Sequence, residues 1–180
     1  MRSFIAIDLP GPIRVRLAEL SRSFASTGVT LVKEEAYHIT LQFLGDMGIL
    51  QQEKVCEAMN ENIVPRFKIG IIGVSCFSLS SLRIIFACIA DGADELKHIY
   101  YGIDGSLRKL GIAYEARGPY VPHVTIARVG RWADPKPLLK EIGEHSNYAV
   151  GSFNASSISL VGSRLAASGP EYKNLYEAKF

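Results

Sequence analysis

His38-Ile39-Thr40-Leu41-Gln42-Phe43-Leu44-Gly45 alternates polar and apolar side chains residue by residue, and Pro122-His123-Val124-Thr125-Ile126-Ala127-Arg128-Val129 repeats its opening pattern later in the chain. A period of two is that of a strand whose two faces meet different surroundings. His38, Thr40 and Gln42 therefore share one face, with Ile39, Leu41 and Phe43 on the other. The chain holds only four histidines and four threonines, and two of the histidines carry a threonine two positions later. Positions i and i+2 of a strand lie about 6.5–7 Å apart on one side, so each motif presents one imidazole and one hydroxyl to the same space.

The surroundings repeat as well. Phe4 to Leu9 is a short apolar strand stopped by Pro10-Gly11-Pro12, and Ile13, Leu17, Leu20 and Phe24 then recur at helical spacing up to Gly28. After the first His-x-Thr strand, Val55, Met59 and Ile63 mark a shorter helix that ends before Pro65. The second unit opens with the strand Leu82 to Ala90, which forms a hairpin with Phe67 to Phe77 through Ser78-Leu79-Ser80-Ser81. A helix with Leu96, Ile99, Ile103, Leu107 and Leu110 on one face ends at Gly111. The stretch Gly118-Pro119-Tyr120-Val121-Pro122, the second His-x-Thr strand and a short helix at Leu138 to Ile142 complete the unit. Gly151 to Val161 and Tyr172 to Phe180 read as two closing strands around a Gly169-Pro170 turn.

Strand, helix, His-x-Thr strand, short helix thus occurs twice, which predicts an internal duplication. The expected fold is α+β and bilobal: two pseudo-symmetric antiparallel sheets with outer helices and a central cleft. Residues 1–180 make one domain of two interleaved lobes. Twofold symmetry brings the equivalent strands face to face across the cleft.

The composition is that of a soluble chain with a core of ordinary size, at 48% hydrophobic and 21% charged residues over 180 positions. A net charge of only +2 excludes a protein that coats long duplexes through many phosphate contacts. Cys56, Cys76 and Cys88 form neither a disulfide framework nor a Cys-x-x-Cys pair, which favours a reducing, cytoplasmic setting. Asp8 cuts the first apolar run short of a signal peptide, and the longest apolar stretches fall well short of the ~20 residues of a membrane helix.

Two histidines titrating near pH 6.5 allow one to accept a proton while the other donates one at neutral pH. Phosphodiester cleavage needs that division: an attacking water loses a proton on one side of phosphorus while the leaving oxygen gains one on the other. The hydroxyls of Thr40 and Thr125 suit the non-bridging oxygens, and Arg128 adds a cationic clamp near the edge of the site. The residues alone leave open which histidine is acid and which is base, because the two motifs look alike.

These residues resemble those of the two-histidine (2H) phosphoesterases, and within them the RNA 2′,3′-cyclic phosphodiesterases first described as 2′-5′ RNA ligases. Phe-Ile-Ala-Ile-Asp-Leu-Pro at 4–10 is similar to the family's opening strand, and the segments 38–45 and 122–129 are similar to its two signatures. Ser163-x-Leu165-x-x-x-Gly169-Pro170-x-Tyr172 resembles its C-terminal loop, with Ala166-Ala167 standing where relatives often have Thr-Pro. The resemblance implies hydrolysis of a terminal 2′,3′-cyclic phosphate to a 2′-phosphate without metal, cofactor or ATP. It further implies His38 as proton donor, His123 as proton acceptor, and Thr40, Thr125 and Arg128 on the phosphate; Tyr172 is a separate candidate for substrate contact. The expected enzyme is a cytoplasmic monomer acting on RNA or oligonucleotide 3′ ends, with no membrane partner. The same chemistry reversed gives 2′-5′ ligation.

Other readings use the same residues. Zinc ligation by His38 and His123 lacks the third and fourth ligands that such sites use. A binding module without turnover, or an enzyme for 2′-5′ linked oligonucleotides or small cyclic nucleotides, uses the same cleft. His98 and His145 read as solvated surface residues. Arg14, Arg16, Arg22, Lys54 and Lys97 read as solvated helix faces. Phe4 and Phe43 read as core, and Tyr172, placed in a loop, as a candidate for base stacking.

Overall fold

The computed structural model describes residues 1–114, 119–166 and 169–180. Gly118 and Ala167 lie outside them, as does the side chain of Ala166, so the Ala166-Ala167 expectation does too. The strands are β1 (Arg2–Asp8), β2 (Val29–Leu31), β3 (His38–Asp46), β4 (Phe67–Cys76), β5 (Ile84–Asp91), β6 (His123–Val129), β7 (Ala149–Ala155), β8 (Ser157–Ala166) and β9 (Gly169–Lys179). The α-helices are α1 (Gly11–Ser21), α2 (Ile49–Glu61), α3 (Ala93–Lys109) and α4 (Pro135–Glu144). One antiparallel sheet has the order β3-β1-β8-β9 and the other β2-β6-β5-β4-β7.

The two orders superimpose as patterns: β3-β1-β8-β9 corresponds to β6-β5-β4-β7, with β2 added at the edge beside β6. The expected duplication is thereby visible in strand pairing. The lobes exchange helices. α1, which follows β1 of the first sheet, packs on β7 and β6 of the second, and α3, which follows β5 of the second, packs on β3 of the first. Ile13, Leu17 and Leu20 of α1 and Leu96, Ile99, Ile103 and Leu107 of α3 are buried, the apolar stripes read from the sequence. Each such side chain contributes about 1.5–3 kcal/mol by leaving water, so the stripes fasten each helix to the sheet of the opposite unit.

Several expectations are corrected. Gly28 does not end α1; the helix stops at Ser21, continues as a 3-10 turn through Phe24, and Gly28 (φ +80°) turns the chain into the short edge strand β2, which periodicity missed. Ile63 lies past the end of α2 and is 43% exposed, because the buried face of that helix is Val55, Ala58 and Met59. Gly151 to Val161 is not one strand: it is divided between β7 and β8, which belong to different sheets. Gly169-Pro170 begins β9 instead of separating two strands, and Tyr172 sits inside β9 opposite Ser163. Among the described residues no helix is long and apolar enough to cross a membrane.

Candidate active site

β3 and β6 approach each other from different sheets and line one cavity of about 1110 Å³. His38, Thr40, His123, Thr125, Arg128 and Tyr172, all anticipated from the sequence, line it together. Each imidazole is held from behind in the same manner. Nδ1 of His38 lies 2.8 Å from the Ala36 carbonyl and Nδ1 of His123 lies 2.7 Å from the Val121 carbonyl, in both cases two residues upstream. A carbonyl only accepts, so Nδ1 carries the proton and donates it. Nε2 is left as the atom of each ring that exchanges protons.

Burial pushes both imidazoles below the ordinary histidine value, since an imidazolium loses hydration there, and the carbonyl partner opposes this. His38 is further pushed up by the carboxylate of Asp8 and down by His123 and Arg128. The rings are walled by aromatic groups. Phe4 stacks on His38 with centroids 4.7 Å apart, and Tyr172 meets it edge-on at 5.5 Å. Phe77 and Phe86 flank His123 at 5.0 and 5.1 Å. These two phenylalanines were not singled out from the sequence. Their signal was available in part, since Phe86 lies in the strand that opens the second unit, as Phe4 does in the first.

Strict alternation fails after the threonine in both strands, and it fails at the same place. Opposite β1, Thr40 pairs with Ala6 and Gln42 with the preceding Ile5, so Leu41 is the extra residue of a bulge. Opposite β5, Thr125 pairs with Phe86 and Ala127 with Ile85, so Ile126 is extra. Each bulge reverses the parity of the residues beyond it. Gln42, paired with the core residue Ile5, is buried and reaches only the margin of the cavity, whereas Phe43, expected in the core, is 39% exposed and lines the cavity beside Phe4. Arg128, five residues after His123, reaches the cavity for the same reason. Phe43 and Arg128 are thus equivalent positions of the two units, one apolar and one cationic.

Tyr120 joins the two motifs: its hydroxyl donates to the Thr40 carbonyl at 3.0 Å, and its ring stacks on Tyr100 with centroids 4.3 Å apart. Phe4, expected as core, is buried and also forms the cavity wall. His98 is exposed, as expected. His145 is not simply solvated: it caps the end of α4, its Nδ1 bonding the Glu141 carbonyl at 2.9 Å, and it packs against Phe24 and Tyr148. Arg16 also has a structural role, donating to the Ala149 carbonyl at 2.8 Å. No three His, Cys, Asp or Glu side chains among the described residues are grouped as a metal-ligand set.

The two sheets place one histidine each on a shared cavity, and comparison with known proteins gives the class of protein to which this arrangement belongs. The chain belongs to the family LigT like Phosphoesterase, which it matches over residues 7–86 and 88–172, each match holding one His-x-Thr strand. It is 35% identical over 180 residues to the RNA 2′,3′-cyclic phosphodiesterase of Methanocaldococcus jannaschii, covering 98% of this chain and 99% of that one. It is 35% identical over 167 residues to the protein of the same name from Aeropyrum pernix, covering 91% and 94%. Among solved structures, a protein of Thermus thermophilus shares the fold with a TM-score of 0.83 at 21% identity, covering 99% of this chain and 97% of the other. E. coli LigT complexed with 3′-AMP does so with a TM-score of 0.80 at 20% identity, covering 99% and 97%.

Proposed function

We propose that the protein is an RNA 2′,3′-cyclic phosphodiesterase that opens the cyclic phosphate at an RNA or oligonucleotide 3′ end to a 2′-phosphate. The observation that carries this is the pair of imidazoles whose Nδ1 atoms are both committed to backbone carbonyls, leaving two Nε2 atoms to work in one cavity. His123 Nε2 takes a proton from the attacking water as its oxygen bonds to phosphorus. The bond from phosphorus to the 3′ oxygen breaks, and His38 Nε2 delivers its proton to that oxygen. Solvent then restores the two protonation states. Thr40 and Thr125 hydroxyls and the Arg128 guanidinium hold the non-bridging oxygens, and Tyr172 borders the base.

The names of the curated relatives support the substrate class, and the asymmetry of Phe43 and Arg128 supports one apolar end for a base and one cationic end for phosphate. The whole chain, 1–180, works as a single domain of two interleaved lobes, a cytoplasmic monomer without metal. With the 5′-hydroxyl of a second strand attacking phosphorus in place of water, the same breaking of the bond to the 3′ oxygen leaves a 2′-5′ linkage. The test is an oligonucleotide ending in a 2′,3′-cyclic phosphate, incubated in EDTA with the product isomer resolved. A 2′-phosphate product is expected. Saturable binding with no product would make the protein a binding module, and turnover confined to 2′-5′ linked substrates would reassign the substrate.

A further inference from the structure

We infer that Arg2 forms a second phosphate subsite, which takes the nearest phosphate upstream of the scissile one, so that the preferred substrate is an oligonucleotide and not a cyclic mononucleotide. This rests on the proposed reading of the cavity as a cyclic-phosphate site.

Three observations carry it. First, the cavity is roomy: at about 1110 Å³ it lies at the upper end of the ~300–1,000 Å³ typical of small-ligand sites. Second, it runs past the histidines along the face of the first sheet. Arg2 and Phe4 are two residues apart on β1 and therefore share a face, Phe4 is the ring stacked on His38, and both line the cavity together with Gly45 and Ser163. Arg2 is four residues from Ala6, the partner of Thr40, a Cα separation of roughly 14 Å along a strand. A phosphate at Thr40 and another within reach of the Arg2 side chain leave one nucleoside between them, and the partly exposed rings of Phe43 and Tyr172, at 39% and 37%, border that interval.

Third, Arg2 is a cation left unpartnered by the described residues. It makes no hydrogen bond or ion pair among the described residues, and its cross-strand neighbour Asp46 is 3.6 Å from the terminal amino group of Met1 instead. A guanidinium of this kind binds a phosphate oxygen through two parallel N–H donors. The carboxylates on the same cavity, Glu35 and Glu171, are not its pairing partners in the ladder, where Arg2 faces Asp46 and Ser163.

The experiment compares a nucleoside 2′,3′-cyclic phosphate with the dinucleotide that ends in the same group, in wild type and in Arg2→Ala and Arg2→Lys. The dinucleotide is expected to have a KM about tenfold lower than the mononucleotide in wild type. In Arg2→Ala that advantage disappears while mononucleotide turnover is unchanged, which also shows that the variant is folded. The log–log salt dependence of dinucleotide KM loses about 0.7 with the lost phosphate contact, and Arg2→Lys recovers part of both effects. Equal KM values for the two substrates in wild type, or an equal rise for both in Arg2→Ala, overturn the subsite and leave the phosphodiesterase reading intact. Absence of turnover on either substrate in wild type overturns both.

Discussion

Asp8 lies directly across the β1–β3 ladder from His38, whereas Cys88 occupies the corresponding place opposite His123. The pseudo-twofold axis that makes the motifs look alike is broken here by one charge. Asp8 is held by the Ser159 hydroxyl, which donates to its carboxylate at 3.1 Å, and Ser159 in turn accepts from Asn174 at 3.4 Å. The carboxylate favours the protonated form of His38. Burial raises the Cys88 thiol, keeping it neutral, so it offers His123 no such support.

The asymmetry predicts a pH effect. His38 faces Asp8 from β1, His123 and Arg128 from β6 and the Tyr172 ring from β9. Asp8→Asn removes the only negative charge in that set and lowers the His38 pKa. With His38 as donor, its active form is then lost sooner as pH rises, so the alkaline limb of kcat/KM moves to lower pH while the acid limb stays. Movement of the acid limb alone would exchange the two roles.

Replacing either histidine by alanine should cost about 10²–10⁴-fold in kcat. The double variant should fall well short of the product of the two losses, since the pair acts as a unit. Turnover in EDTA is expected to match turnover without it. Activity that vanishes in EDTA and returns with a divalent metal would refute the acid–base scheme.

The equivalent positions Phe43 and Arg128 should fail differently. Arg128→Ala removes a charge-assisted donor from the phosphate and is expected to lower kcat about 10²-fold, with partial recovery in Arg128→Lys. Phe43→Ala should raise KM about tenfold and change kcat little, the signature of lost stacking instead of lost chemistry. Equal effects on kcat from both would contradict the separation of base and phosphate ends.

Folding stability should also respond to pH. Both histidines bind protons less readily in the folded state than at the ordinary value near 6.5, so the unfolded chain gains protons first on acidification. Stability is therefore full above about pH 7 and declines as pH falls through 6.5 toward the lowered folded values. Urea midpoints at pH 7.5 and 5.5 measure this, and a higher midpoint at pH 5.5 would reverse the sign.

Tyr120→Phe removes the hydrogen bond that ties the loop before His123 to the first motif. A loss of about 0.5–1.5 kcal/mol is expected. A drop in kcat should accompany it, because the two strands carrying the imidazoles lose a direct link.

The sequence by itself determined the two His-x-Thr strands, their repetition and the helices between them. Periodicity is a local property, and three residues of alternation suffice to place His38 with Thr40 and His123 with Thr125. Tertiary structure decided what lies beyond the threonines. The bulges at Leu41 and Ile126 exist because β3 pairs with β1 and β6 with β5, a register between distant segments that no single stretch encodes. They turned Phe43 out of the core and brought Arg128 to the cavity, against the parity of the chain. Strand pairing likewise set Asp8 against His38 and Cys88 against His123. The long-range register thus separates two sites that the local sequence makes nearly identical.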